Sequence, residues 1–189
     1  MPGRTLALLL VSAATAAAQT PRPFPFFNRG DPKIQTLVFV RQPDLDLAAK
    51  RIGVLPFTVP DATRPGTPSF GDLLHQGLLA AGLNTRLLAV DGFSWDDPRL
   101  TEEERIGWAA GYARSRNLDL VVAGRVDYIV HRRAGGLVLK VTLRLIAAET
   151  AGVVFYASKK ADWLRSYPPE DCFRALADSF LSELVPPAD

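Results

Sequence analysis

The chain has 189 residues, 48% of them hydrophobic and 22% charged, with one cysteine and a formal net charge of +2 at pH 7. So even a balance argues against a broad polyanion-binding surface for nucleic acid or acidic membranes. The lone Cys172 excludes an intramolecular disulfide framework, and the length suits one domain with a full apolar core.

The amino terminus has the three parts of a secretion leader. Arg4 supplies a short positive region, Leu6 to Val11 begin an apolar run, and Ala16-Ala17-Ala18 offer the small residues of a cleavage site. The run is shorter than the roughly 20 residues that span a bilayer. Residues 1–18 are therefore expected to be a signal peptide cleaved near Ala18/Gln19, which places the mature chain in the periplasm. A bacterial lipoprotein carries its acyl chains on a cysteine directly after the leader. Gln19 stands there, so the expectation is a protein that is not lipid-anchored. Removing the leader takes away Arg4 and lowers the formal charge to +1.

Residues 19–49 read as a proline-rich linker with an optional edge strand at 36–40. Phe24, Phe26 and Phe27 interleave with Pro21, Pro23 and Pro25, either to pack on the domain or to dock a partner. The domain itself is expected over 50–189. Arg51–Phe57 is a short apolar run ended by proline, as in a buried strand. Ser69 with Asp72 forms a capping-box variant ahead of a helix carrying Phe70, Leu73, Leu74 and Leu78, and Gly82 ends it. Thr85–Val90 reads as the next strand. Thr101 with Glu104 is a second capping box, followed by a helix with a small-residue face at Ala109, Ala110 and Ala113.

Three strands in hairpin order come next. Leu118–His131 is the first, with a turn at 133–136. In the second, Leu137, Leu139, Val141, Leu143 and Leu145 alternate with Lys140, Thr142 and Arg144, so one face is buried and the other meets water or a partner. Val153–Lys160 is the third. Pro168 and Pro169 open a last helix with Phe173, Leu176, Ala177, Phe180 and Leu184 on one side. The fold class is α/β (α+β): a single mixed sheet in the order βαβαβββα, with helices packed mainly on one face.

No residue set carries catalysis. His75 and His131 lie far apart without companion ligands, so neither a metal site nor a cofactor site is expected. Gly135-Gly136 belongs to a hairpin and lacks the helix amides that cradle phosphate. Asp119 and Asp127 are expected to pair with Lys140 or Arg144 across the sheet. Two features fit recognition. One is the polar sheet face with Arg125, Lys140 and Arg144; the other is the loop carrying Phe93 and Trp95, whose rings either meet a partner or fold back on the core.

Three segments resemble a known family. Ile52-Gly53-Val54-Leu55-Pro56-Phe57, the run Leu118–Val126 and the hairpin Val141–Val154 are similar, in this order, to the strands shared by a family of bacterial envelope proteins. The family includes the curli-secretion lipoprotein and the lipoprotein activators of penicillin-binding proteins. The resemblance covers about residues 50–186. It implies a shared α/β domain and a non-catalytic role in envelope assembly through protein–protein contacts, with an envelope protein as partner and homo-oligomerisation open. The chain lacks the family's lipid-accepting cysteine, and it has no room for the long membrane-inserted hairpins of the curli channel. Two other functions remain open from sequence. One is an enzyme acting on an envelope polymer, with Asp96 or Asp97 beside a second carboxylate. The other is an auxiliary carrier of apolar ligands, which needs a cavity of several hundred Å³.

Overall fold

A computed structural model describes residues 33–42, 45–57, 69–90, 93–95, 97–131, 136–164 and 169–185. The leader, the linker up to residue 32, Asp91, Gly92, Asp96, the turn at 132–135 and Pro168 lie outside the described residues. The elements are β1 (Lys33–Arg41), β2 (Arg51–Val54), α1 (Phe70–Ala80), β3 (Asn84–Leu87), α2 (Glu102–Ser115), β4 (Leu120–His131), β5 (Gly136–Ala147), β6 (Val153–Leu164) and α3 (Pro169–Leu184).

They build one six-stranded mixed sheet in the order β1-β6-β5-β4-β2-β3. β2 pairs in parallel with both β3 and β4, while β4, β5, β6 and β1 form an antiparallel ribbon. The optional edge strand is real: β1 closes the ribbon against β6, with an irregularity between Thr36 and Val38.

Strand periodicity sorts the side chains onto two faces. Ile52, Val54, Leu120, Val122, Leu139, Val141, Leu143, Phe155 and Ala157 point to a large core completed by Phe70 and Leu74 of α1 and by Phe173, Leu176 and Phe180 of α3. Val121, Ala123 and Ile146 point the other way, into a smaller core with Ala109, Ala110 and Ala113 of α2. The helices thus lie mainly on one face, as expected, but α2 crosses to the opposite one. Its methyl-sized stripe lets the backbone come close to the sheet, where Gly53 leaves space taken by Leu88 and Leu118.

The ends of α1 and α2 are set by local chemistry. The capping boxes form: Ser69 and Thr101 accept from the N–H groups of Asp72 and Glu104, whose carboxylates accept in return. Both helices end in a left-handed residue, Gly82 (φ 79°) after α1 and Asn117 (φ 55°) after α2. The following N–H groups, of Leu83 and Leu118, donate to Leu78 and Ala113, which satisfies carbonyls that the helix leaves open.

α2 covers only the beginning of β4 and the end of β5. Beyond it, Arg125, Asp127, Lys140, Thr142, Arg144, Tyr156, Ser158 and Lys160 share one face of the antiparallel ribbon. The solvent-side face anticipated from the alternation in β5 is therefore present, and β6 extends it.

Candidate functional site

In the segment between β3 and α2, Phe93 and Trp95 fold back on the core. Trp95 is buried at 5% exposure among the residues that pack α2 on the sheet. Phe93 is half-buried and stacks on Trp108 of α2, with ring centres 3.6 Å apart and planes within 3°. It meets Trp95 edge-on at 6.3 Å. Trp108 in turn stacks on Tyr112, whose hydroxyl donates to the Ala89 carbonyl and ties α2 to the chain leaving β3.

Arg144 joins this loop to the sheet face. Its guanidinium lies 5.5 Å from the Trp95 ring centre and 5.0 Å from that of Tyr156, and it forms an ion pair with Glu102 in the first turn of α2. Three of the five residues singled out from the sequence, Phe93, Trp95 and Arg144, thus meet in one cluster. The other two stand on the ribbon. Arg125 pairs with Asp127 at 2.5 Å, and Lys140 lies in register with Asp127 on one side and Lys160 on the other. Tyr156, Ser158 and Lys160 were not singled out from sequence, although the alternation Tyr156, Ser158, Lys160, Asp162 in β6 carried the signal.

The expected cross-sheet pairs of Asp119 and Asp127 with Lys140 or Arg144 do not form. Asp119 instead takes two hydrogen bonds from the Arg51 guanidinium and one from the Arg51 N–H, because β2 and β4 begin side by side. Those bonds hold its carboxyl down to about 2. Asp97 is held down to about 2 in the same way by Arg99. A carboxylate so firmly ionised is a poor proton donor at neutral pH. Glu104 is also lowered, by the Thr101 N–H and hydroxyl it accepts from. Among the described residues no group of His, Cys, Asp and Glu could hold a metal ion, and no helix is long and apolar enough to cross a membrane.

A crevice of about 110 Å³ opens beside this cluster, lined by Leu55, Pro56, Phe57, Val90, Phe93, Trp95 and Gly124. It lies at the carboxyl ends of β2 and β3 and against the middle of β4. Its volume is well below the several hundred Å³ expected of a lipid carrier.

The chain shares its fold with the PelC dodecamer from Paraburkholderia phytofirmans, at a TM-score of 0.57 and 20% identity, over 82% of this chain and 97% of that one. A point variant of the same dodecamer gives 0.55 and 19%, over 82% and 98%. A lipoprotein from Neisseria meningitidis is more distant, with a TM-score of 0.45 and 14% identity over 71% and 97%. No family model and no curated protein sequence matches the chain. At these identities the likeness is one of fold.

Proposed function

We propose that the chain is an exported, non-catalytic accessory protein of the cell envelope that works through protein–protein contacts, beginning with copies of itself. The observation that carries this reading is a sheet whose two edge strands are unlike and, among the described residues, unpaired on their outer sides, in a fold shared with a protein that forms a dodecamer. β1 exposes Leu37, Phe39 and Val40 at one end, and β3 exposes Leu87 at the other. Unpaired edge strands with apolar side chains invite pairing. When the two joined surfaces differ, subunits add head to tail and close into a ring if the rotation allows.

The leader-like residues 1–18 and Gln19 support export without a lipid anchor. The three strand motifs support kinship with the curli-secretion and penicillin-binding-protein-activator lipoproteins. Among the described acids near the Trp95 loop, Asp97 pairs with Arg99, Glu102 with Arg144 and Glu104 with Thr101. That occupation favours a recognition role over an enzyme acting on an envelope polymer.

Light scattering after size exclusion tests the reading on the chain beginning at Gln19. A closed homo-oligomer is expected, and Phe39→Lys or Leu87→Lys should shift it to smaller species. A monomer at high micromolar concentration would remove self-assembly from the proposal. A pull-down from envelope extract that recovers no specific partner would remove the accessory role.

A further inference from the structure

The two outer edges of the sheet match in the backbone groups they present. In β1, the N–H of the next residue, Gln42, donates inward to the Val154 carbonyl of β6 at 2.9 Å. Alternation turns Val40 toward β6 as well, and leaves Phe39 and Arg41 with their N–H and C=O groups on the outer side. Beside β3, the Leu88 N–H donates to the Val54 carbonyl of β2 at 2.9 Å. Asn84 and Arg86 therefore also point inward, and Thr85 and Leu87 present their backbone groups outward. The lengths match too. The irregularity between Thr36 and Val38 leaves residues 38–41 as the regular edge of β1, against the four residues of β3. Before that irregularity Lys33 and Gln35 are exposed, and a charged or polar edge discourages further pairing.

Strand direction decides how the edges can join. β1 runs opposite to β6, β6 to β5 and β5 to β4, whereas β4, β2 and β3 run together. β1 is thus antiparallel to β3 of any neighbouring copy that continues the sheet with α2 on the same face. Antiparallel pairing is the more stable kind per residue.

We propose that β1 of one copy and β3 of the next form an antiparallel ladder, with Phe39 opposite Leu87 and Arg41 opposite Thr85. This register bonds both outward residues of each edge; a slip of two residues loses one of the pairs, and a slip of one turns the side chains to the wrong faces. It also joins exposed apolar side chains. Phe39 meets the large-core residue Phe155, and Leu87 stands in register with Val54 of the same core, so both lie on one face. They are 46% and 47% exposed, and the ladder makes them an apolar cross-strand pair. On the α2 face Val40, 59% exposed, stands opposite Arg86, whose aliphatic stem covers apolar surface while its charge stays in water. The ladder rests on the self-assembly reading and names the contact through which it occurs.

Disulfide trapping reads the register. In such a ladder Val40 and Arg86 form a non-hydrogen-bonded pair with Cα atoms about 4.5 Å apart, within disulfide reach. The mature chain carrying Val40→Cys and Arg86→Cys is expected to yield a series of covalent multimers on mild oxidation. Val40→Cys with Asn84→Cys, about 7–8 Å apart across the diagonal, should yield few. In the wild type, assembly should slow hydrogen exchange about tenfold or more at the amides of Phe39, Arg41, Thr85 and Leu87, and this measurement decides the matter if the cysteine variants misfold. A monomer by light scattering would remove the self-assembly reading and the ladder with it. A stable assembly that leaves those four amides unprotected would overturn the ladder alone. Covalent dimers from Val40→Cys without a second change would also overturn it, because they mean that two β1 strands pair with each other.

Discussion

Lys159 places its ammonium 2.8 Å from Glu183 Oε1 while only 1% of its side chain is exposed, so β6 and α3 are joined by an ion pair at the edge of the core. The same ammonium donates to the Ser179 carbonyl and hydroxyl at 2.7 Å, and Arg41 of β1 donates to the Glu183 carbonyl. A buried cation with all its donors engaged locks α3 onto the ribbon at one register. Glu183 keeps 26% of its side chain exposed, so the two partners are unequal. Removing the carboxylate strands a charge inside the protein, whereas removing the ammonium leaves a carboxylate on a partly exposed side chain that still accepts from the Thr36 hydroxyl. Glu183→Ala is expected to cost about 3 kcal/mol, and Lys159→Met, which keeps the volume, less than about 1.5 kcal/mol. Urea unfolding of both variants checks this, and the reverse ranking would show that packing rather than charge pairing dominates.

The Arg51–Asp119 pair predicts a pH effect of definite sign. Hydrogen bonds from Arg51 lower the Asp119 carboxyl from 3.8 to about 2 in the folded chain. The folded state therefore binds this proton later than the unfolded state. Its stabilising contribution is fully present above pH ~4 and is lost as pH falls toward ~2. The side chains are 50% and 35% exposed, so solvent screening limits the contribution to about 1 kcal/mol or less at neutral pH. Asp119→Asn should flatten the stability profile between pH 5 and 2 (approximate bounds of the titration), as measured by denaturant midpoints across that range. A profile unchanged from wild type would rule out this pair as a source of acid sensitivity.

Much of this architecture was legible in the sequence because it depends on short-range rules. The capping boxes at Ser69 and Thr101 fixed the helix starts, Gly82 fixed a helix end, and the period of two in β5 identified the polar face that Arg125, Lys140 and Arg144 share. Long-range contacts were not legible. Lys159 looks like an ordinary solvent-facing lysine in β6 until α3 brings Ser179 and Glu183 over it. Asp119 differs from expectation because alternation tells which face a side chain takes but not which strand lies beside it, whereas Asp127 does stand in register with Lys140 yet pairs with Arg125 of its own strand. β2 is in fact the parallel neighbour of β4, which gives Asp119 to Arg51. The crevice depends on the same adjacency, and on the crossing of α2 to the second face.

Arg144 should hold the Trp95 loop in place. It faces two rings at 5.5 and 5.0 Å and pairs with Glu102, with 13% of its side chain exposed. A planar guanidinium can lie flat on a ring while its N–H groups reach a carboxylate, and an ammonium cannot do both. Arg144→Ala is expected to lower stability by about 1–2 kcal/mol. It should also shift Trp95 emission to longer wavelength as water reaches the indole. Arg144→Lys should recover less than half of either effect. Full recovery by lysine would mean that charge alone acts here.

Cys172 lies in the large core at 1% exposure, and burial pushes its thiol up to about 12. The thiolate is the reactive form, so the folded chain should resist alkylation at pH 8 and stay free of intermolecular disulfides under oxidising conditions. Labelling is expected only at denaturant concentrations that unfold the chain, with the labelled fraction following the unfolding curve. Rapid labelling in buffer would show that α3 opens independently of the sheet.

Two glycines with opposite surroundings give the sharpest contrast. Gly124 faces the Phe57 ring, and an added Cβ would meet it at 2.5 Å with the Thr142 carbonyl nearer still. Neither neighbour moves freely: the ring packs edge-on against Phe70 at 5.0 Å, and the carbonyl belongs to the paired strand β5. Gly124→Ala should therefore destabilise the fold by about 2–3 kcal/mol and narrow the crevice. Gly107 sits on α2 with nothing within 4 Å of an added Cβ. Alanine there restricts the unfolded chain and suits the helix, so Gly107→Ala should stabilise by about 0.5–1 kcal/mol. Thermal unfolding of the two variants side by side checks both signs. If Gly107→Ala instead stabilised the isolated chain but weakened its self-association, the open stripe of α2 would belong to the contact between subunits.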